Sequence, residues 1–368
     1  MEPVPQPDID IQLLRLKDAR DLAPLLSAYV QAVFRGAPGA PDKVYAEQLL
    51  QDRTAEMLGA RLDGELVGFL VFYLTTIDWT VLAGIDINWW LVAAATAASL
   101  AFRYWGVMIW FFLLKRLGAT GLTGKYVSLT FVYAKSWLGR YIPGAATWIL
   151  GKVYFASQHG ISRGRLAVSG VLEGALQIVA TLGLAIAVLL IDPRTQTFGP
   201  WFTVALIAAL AACVLAIVPR VFEFLLNIAL RVFRRPKVDR ELMPSGATIV
   251  WSALMYLGGA LIAGFSYYLI SAALYPAIEP ADVIFIVGAT SLASAVSMLA
   301  VFAPGGLGVR EGVLGLLLAL VVPGEIALVI VVVTRVWSVA VDGVFFLLAG
   351  GTNLIAGRRG TEEVPVKP

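Results

Sequence analysis

The sequence predicts an all-α polytopic membrane protein, preceded by a small α/β soluble segment. Of its 368 residues, 59% are hydrophobic and only 14% are charged, and the mean hydropathy is +0.81. A soluble domain of this length cannot bury so much apolar side-chain surface. Two apolar regions are interrupted by Pro-Gly pairs, and the apolar regions recur at a constant offset. These observations predict an inverted repeat with two Pro/Gly-broken re-entrant hairpins.

Residues 1–66 form a polar segment with eleven acidic and seven basic side chains. Within and just after it, 9–16 is predicted to be a strand, 18–34 and 40–52 amphipathic helices, and 55–74 a hairpin turning at Asp63-Gly64. This order of elements resembles the opening of a GNAT acyltransferase, over residues 1–74. The acyl-CoA pyrophosphate loop of that family does not follow. We therefore expect an incomplete GNAT-like cytoplasmic cap.

Five continuous apolar stretches are long enough to cross a bilayer at a helical rise of about 1.5 Å per residue. They lie near residues 86–114, 165–191, 200–230, 244–274 and 324–350. Residues 66–82 form a short sixth candidate that carries Asp78, and a cytoplasmic polar segment requires that it crosses. Together these stretches predict a transmembrane domain over 67–356, followed by a cytoplasmic tail over 357–368.

The two remaining apolar regions, 126–158 and 283–320, contain internal Pro and Gly residues. The loop at 231–240 holds five bases and one acid, and "GRR" follows the last span, so the positive-inside rule places both in the cytoplasm. With the C-terminus cytoplasmic, the first broken region enters and leaves the membrane from the cytoplasm. The second then enters from outside.

The two breaks are similar to each other. "AKSWLGRYIPG" (134–144) and "AVSMLAVFAPG" (295–305) share Ala, Ser and Pro-Gly at identical spacing, with an offset of 161 residues. The same offset carries the span near 86–114 onto 247–275 and the span near 165–191 onto 326–352. The sequence therefore predicts repeat halves of about 86–191 and 244–350, each consisting of span, hairpin and span. Inverted repeats with broken helices that meet near the midplane are typical of transporters.

Charges and free backbone groups at membrane depth require protein partners or a water-filled cavity. The candidate substrate-binding residues are therefore those at the two breaks: Arg140, Pro143, Gly144, Lys152, Pro304, Gly305, Gly306, Arg310 and Glu311. Arg310 follows a predicted helix restart, where free amides and the positive end of the helix dipole favour an anionic group. A bond from Arg310 to Glu311 that only stabilises the hairpin stays an alternative. Lys152 has the alternative of extending to the cytoplasmic interface.

Three further charges within spans are candidates for coupling or gating: Glu173, Arg335 and Asp342. The offset brings Glu173 next to the equivalent of Arg335, which predicts a Glu173–Arg335 pair across the pseudo-two-fold axis. Such a pair either is structural or switches as the halves move. Intramembrane carboxylates also serve proton relays, so Glu173, Glu311 and Asp342 are candidates for that role.

Metal, disulfide and nucleotide chemistry find no support in the sequence. The single cysteine, Cys213, and the single histidine, His159, exclude a disulfide framework and a histidine-based metal cluster. We recognise no phosphate-binding loop, dinucleotide fingerprint or nucleic-acid-binding module. We expect no cofactor, no metal, no nucleic-acid partner, and assign no catalytic residue.

"GRYIPGAATWILGK" and "FAPGGLGVREGVLG" resemble the flippase-like transmembrane family typified by the membrane region of lysylphosphatidylglycerol synthase, over about residues 78–355. This resemblance implies a multi-pass protein of a bacterial or archaeal cell (inner) membrane. It also implies lipid translocation in some members and an association with lipid or glycan biosynthesis in others. The aminoacyl-transferring domain of the synthase does not follow the last span, so we expect a transporter rather than a lysyl transferase.

The leading hypothesis is a lipid flippase-like transporter that moves an anionic phospholipid, an aminoacyl-phospholipid or a polyprenyl-phosphate-linked glycan between leaflets. The alternative is a membrane subunit or enzyme of glycolipid or cell-envelope glycosyl or lipid transfer. Under either reading, a biosynthetic glycosyltransferase or a lipid-modifying enzyme is a possible partner. A third reading is a scaffold that recruits a soluble partner through residues 1–66.

Overall fold

The computed structural model describes residues 9–13, 56–62, 65–72, 86–141, 147–194, 199–232, 243–300, 306 and 308–362. The chain divides into two compact units, Met1–Ile85 and Asp86–Pro368. The division thus falls between residues 85 and 86, later than the predicted end of the polar segment at residue 66.

The first unit contains a three-stranded antiparallel sheet in the order β1 (Ile9–Leu13), β2 (Glu56–Leu62), β3 (Glu65–Phe72). Ile9 lies opposite Leu62 in β2, and Glu56 lies opposite Phe72 in β3. The predicted helices over 18–34 and 40–52 and the turn at Asp63-Gly64 lie outside the described residues. The predicted span over 66–82 needs correction, because its first seven residues lie in β3. Hydropathy alone does not separate an apolar strand from the start of a membrane helix.

The second unit is all-α in the described residues, apart from short 3₁₀ turns. Its helices are α1 (Trp89–Arg116), α2 (Tyr126–Leu138), α3 (Thr147–Ser157), α4 (Arg163–Ile191), α5 (Pro200–Ile217), α6 (Pro219–Val232), α7 (Gly246–Leu274), α8 (Val283–Leu299), α9 (Val309–Leu318) and α10 (Gly324–Glu362).

Three of the long helices, α1, α4 and α7, begin at polar capping residues. The side chain of Asn88 accepts hydrogen bonds from the amides of Trp90 and Leu91, and Ser162 and Ser245 cap α4 and α7 in the same way. These caps satisfy amides that the first helical turn leaves without partners. The starts of the helices are thus fixed by short polar side chains next to long apolar runs.

Six helices of the described residues are long and apolar enough to cross a membrane. They are Trp89–Arg116, Arg163–Ile191, Pro200–Ile217, Gly246–Leu274, Pro280–Leu299 and Gly324–Ala356. The prediction of an all-α polytopic membrane protein is confirmed by this set.

The predicted span over 200–230 is wrong as a single helix. α5 ends at Ile217, and Pro219 begins the amphipathic helix α6, which buries Phe222 and Leu226 in the core. Proline has no amide hydrogen and clashes with the preceding turn, so one continuous helix is excluded here. Averaging of hydropathy over the stretch hides this break.

The two broken regions each form a pair of packed helices. In the first, α2 packs on α3, and their 13 and 11 residues give lengths of about 20 and 16 Å, less than the roughly 30 Å of a bilayer core. In the second, α8 packs on the 10-residue α9. We call the pair α2–α3 hairpin 1 and the pair α8–α9 hairpin 2. Their predicted re-entrant course and the predicted cytoplasmic C-terminus stay predictions.

The packing of the two halves follows a two-fold exchange. The 161-residue offset carries Arg163, the first residue of α4, onto Gly324, the first residue of α10. α2 packs on α10 while α8 packs on α4, α3 packs on α4 while α9 packs on α10, and α1 packs on α7. Each hairpin thus packs on both α4 and α10, the last long helices of the two halves. This happens because α2 and α8 each pack on a helix of the other half.

Glycines permit the closest contacts between these helices. A Cβ added at Gly264 on α7 would lie 2.8 Å from the backbone Cα of Val287 on α8. A Cβ at Gly288 on α8 would collide with Val188 on α4. Membrane helices gain van der Waals contact in this way where small residues meet.

Gly264→Ala is expected to destabilise the protein by about 1–3 kcal/mol, because the obstructing atom is backbone and the helices must separate. The measurement is the thermal unfolding midpoint of the purified protein in detergent. Gly343→Ala on α10 is the matched control, since nothing lies within 4 Å of its added Cβ. Equal melting temperatures for the two variants would contradict the close contact.

Candidate functional site

One carboxylate on α10 joins three separate elements. Asp342 is 2% exposed, and its Oδ1 accepts hydrogen bonds from Arg103 Nε on α1 at 2.6 Å and from Trp137 Nε1 on α2 at 3.0 Å. Its Oδ2 accepts from the hydroxyl of Tyr141 at 2.5 Å. Tyr141 ends the 3₁₀ turn Gly139–Tyr141 that follows α2. Asp342 therefore holds the end of hairpin 1 against α10 and α1.

Arg103 is 5% exposed, and each nitrogen of its guanidinium group donates a hydrogen bond to an oxygen atom. Its Nη1 donates to the carbonyl and hydroxyl oxygens of Ser99, one turn earlier on α1, at 2.7 and 2.6 Å. Its Nη2 lies 2.5 Å from Asp342 Oδ1 and 3.2 Å from the carbonyl oxygen of Ser338. This complete set of partners compensates the loss of hydration of a buried arginine.

A second buried pair lies between α3 and α4. Lys152 is 0% exposed and Glu173 is 1% exposed, and Lys152 Nζ contacts both carboxylate oxygens at 2.7 Å. The hydroxyl of Tyr133 on α2 donates to Glu173 Oε1 at 3.2 Å. The pair thus connects both helices of hairpin 1 to α4.

Aromatic rings surround the ammonium group of Lys152. Its Nζ lies 3.9 Å from the ring centroid of Tyr133, 4.8 Å from Trp148 and 5.4 Å from Trp110. Ring faces attract a cation strongly where water is excluded. Trp110 is held in turn by donation from its indole nitrogen to the hydroxyl of Ser169.

Two sequence-based expectations about these charges are wrong. Glu173 pairs with Lys152 rather than with Arg335, and Lys152 is enclosed rather than extended to the interface. α3 packs directly on α4, so the ammonium group reaches the carboxylate across one helix contact. Arg335 instead pairs with Glu311, at 3.4 Å from Nη1 to Oε1.

Glu311 has a structural role at the start of α9. Its Oε2 accepts a hydrogen bond of 2.9 Å from the amide of Gly308, whose φ is +81°, and so caps the helix. The predicted free amides at this restart are therefore partly occupied by the protein itself. Glu311–Arg335 links α9 to α10 as Lys152–Glu173 links α3 to α4, with the order of the charges reversed.

Arg310 and Arg140 contact aromatic side chains. Arg310 donates to the hydroxyl of Tyr267 on α7, and its guanidinium carbon lies 4.9 Å from the centroid of that ring. The guanidinium carbon of Arg140 lies 4.4 Å from the ring centroid of Trp137. Among the described residues, neither arginine has a carboxylate within salt-bridge distance, and both side chains are partly exposed.

The two hairpins meet at Arg335. Its guanidinium carbon lies 5.7 Å from the ring centroid of Tyr141 in hairpin 1, while its Nη1 pairs with Glu311 in hairpin 2. Arg140 precedes Tyr141 and Arg310 precedes Glu311. We call these five residues the hairpin junction.

The remaining predicted site residues are placed only in part. Pro143, Gly144, Pro304 and Gly305 lie outside the described residues. Gly306 is described, with φ of +71°, and a Cβ there would lie 2.5 Å from Ser297 Cβ on α8. A side chain at this position would therefore clash within hairpin 2.

Sequence reasoning missed Arg103 and the tyrosines 133, 141 and 267. A lone arginine within the apolar span of α1 was a visible signal, because an intramembrane charge implies a partner. The tyrosines had no signal of their own, since tyrosine is common in membrane helices and at their ends.

Breaking the Lys152–Glu173 pair should destabilise the protein strongly. Lys152→Met or Glu173→Gln alone leaves an uncompensated buried charge, at an expected cost of about 3–5 kcal/mol, whereas the double variant should lose much less than the sum. The measurement is thermal unfolding in detergent. Lys135→Met, at an exposed lysine of the same hairpin, is the control and should stay near the parent. Additive losses in the double variant would show that the two charges do not depend on each other.

Of the comparisons with known proteins, one covers most of the chain. The family model "Lysylphosphatidylglycerol synthase TM region" matches residues 64–345. The crystal structure of ribosomal-protein-alanine N-acetyltransferase from Brucella melitensis biovar Abortus 2308 is similar at 59% identity, with a TM-score of 0.17; the match covers 18% of this chain and 44% of that one. A search of curated proteins found no match. With a family match over most of its length and six apolar helices, the chain is a multi-pass membrane protein that belongs to the lysylphosphatidylglycerol synthase TM region family.

Proposed function

We propose that this protein is a lipid transporter that moves a lipid with an anionic head group between the leaflets of a bacterial or archaeal cell membrane. The substrate class includes anionic phospholipids, aminoacyl-phospholipids and polyprenyl-phosphate-linked glycans, which share a phosphate group. The observation that carries the proposal is the hairpin junction, where each helix break contributes an arginine next in sequence to a residue that contacts Arg335.

The balance of charge at the junction favours an anion. Arg335 is neutralised by Glu311, while Arg140 and Arg310 face aromatic rings and have no carboxylate within salt-bridge distance among the described residues. Two arginines without a paired carboxylate in an apolar bundle are costly unless water or an anion compensates them. Arginine also matches phosphate geometry through paired N–H donors.

The packing of the halves supports movement of a head group. Each hairpin rests on a long helix through one ion pair, Lys152–Glu173 for hairpin 1 and Glu311–Arg335 for hairpin 2. A two-fold exchange of helices permits two related arrangements of similar energy, as in transporters built from inverted repeats. In this mechanism the head group passes Arg140 and Arg310 while the acyl or prenyl chains stay in lipid.

The proposal predicts that Arg140→Gln and Arg310→Gln each reduce lipid exchange by at least about tenfold, which corresponds to 1.4 kcal/mol of lost head-group binding. The measurement is leaflet exchange of fluorescent phosphatidylglycerol in proteoliposomes, read by a quencher added to the outer face. Empty vesicles give the background rate.

Lys135→Gln is the matched control, because it removes one positive charge from the exposed side of hairpin 1 without touching the junction. It should exchange lipid at the parent rate. Equal losses in all three variants would assign the effect to net charge. Exchange at parent rates in both arginine variants would contradict the proposed site.

A further inference from the structure

A small cavity lies in the second unit, apart from the hairpin junction. It has a volume of about 50 Å³ and is lined by residues of α1, α2, α4, α7 and α8. Its lining combines aromatic rings with the polar side chains of Gln177, Thr181, Tyr256, Thr290 and Ser291. The cavity therefore lies where the two halves of the repeat pack together.

Three hydroxyl groups of this lining are buried without a partner. Tyr256, Thr290 and Ser291 are at most 7% exposed, and their side-chain oxygens have no hydrogen-bond partner in the described part of the chain. An unpaired buried hydroxyl destabilises the fold, so each such group calls for a ligand that completes its hydrogen bonding.

The size of the cavity restricts that ligand. A volume of about 50 Å³ holds roughly three to five water molecules. The side chains that line it are neutral apart from Arg103, whose charge is matched by Asp342. Water satisfies the hydroxyl groups without adding a charge.

Tyr133 connects this cavity to a buried carboxylate. It lines the cavity, and its hydroxyl donates to Glu173 Oε1. Gly106, another lining residue, leaves room for the hydroxyl, because a Cβ there would lie 2.6 Å from the Tyr133 oxygen. One hydroxyl thus lies between the water site and Glu173.

The surroundings of Glu173 contain few other charges. Lys152 on α3 contacts it directly, Arg103 on α1 lines the same cavity, and the phenols of Tyr133 and Tyr256 face it from α2 and α7. The sequences of α5, α7 and α8, which also pack on α4, contain no charged residue.

We propose that the cavity holds a water cluster that delivers protons to Glu173 through the hydroxyl of Tyr133. A hydronium in the cluster gives a proton to the Tyr133 oxygen as the Tyr133 hydroxyl proton moves to Glu173 Oε1. The products are one water molecule, an unchanged tyrosine and a neutral carboxylic acid. Lys152 keeps its proton throughout.

The consequence is a proton-controlled contact between hairpin 1 and α4. A neutral Glu173 no longer compensates the charge of Lys152, so the attraction between α3 and α4 weakens. The use of this step to drive lipid movement rests on the proposed function. The protonation itself does not depend on what the protein transports.

Infrared difference spectroscopy of the full chain in phosphatidylglycerol-containing vesicles tests the inference directly. After a jump to acidic pH, a carboxylic acid C=O band should appear in the parent protein and be absent in Glu173→Gln. In Tyr133→Phe and in the double variant Thr290→Val/Ser291→Ala, the same band should form at least about tenfold more slowly than in the parent protein. Ser271→Ala removes a buried hydroxyl of α7 that is bonded to the Tyr267 carbonyl, and it should keep the parent rate.

Three results would overturn the inference. The first is a band that persists in Glu173→Gln, and the second is a parent rate in both Tyr133→Phe and the double variant. The third is a band that changes when choline replaces sodium in the buffer. That result would assign the cavity to a metal cation. Because no lipid movement is measured, a failure of lipid exchange leaves these readings unaffected.

Discussion

A charge inside an apolar helix bundle needs partners that replace its lost hydration, and the second unit is organised around that constraint. Asp342 shows it most clearly, since one carboxylate accepts from Arg103, Trp137 and Tyr141 on three elements. Removal of Arg103 would leave the Asp342 carboxylate buried without its opposite charge, which costs about 3–5 kcal/mol in such surroundings. The position of hairpin 1 against α10 therefore follows from electrostatics as much as from packing.

The same constraint acts on both halves of the repeat, with different residues. Lys152–Glu173 and Glu311–Arg335 join equivalent helix pairs, although the acid and the base exchange places. The first pair is enclosed, while the second is partly exposed beside Arg140 and Arg310. Equivalent helix pairs thus carry an enclosed ion pair in one half and a partly exposed ion pair in the other.

The spans, the repeat and its offset were predictable because apolar runs and matching breaks are properties of sequence alone. Pro219, which divides 200–230, was visible in the sequence, but averaged hydropathy hid the helix break there. The apolar strand β3 resembled the start of a span. The partner of Glu173 was not predictable. The offset identifies equivalent helices, but which side chain reaches the carboxylate depends on how α3 lies on α4. The cavity was equally hidden, because its lining residues come from five helices of both halves.

The central claim is that the two hairpins meet at Arg335, and cysteine cross-linking tests it most directly. Cys213 is the only cysteine of the chain, so Cys213→Ser gives a background free of thiols. In that background, Arg140→Cys and Arg310→Cys together should react with a flexible bis-maleimide to join hairpin 1 to hairpin 2, detected by mass spectrometry of the linked peptides. The account predicts this linked product in membranes. Two thiols that each accept a single maleimide but never become linked would contradict it.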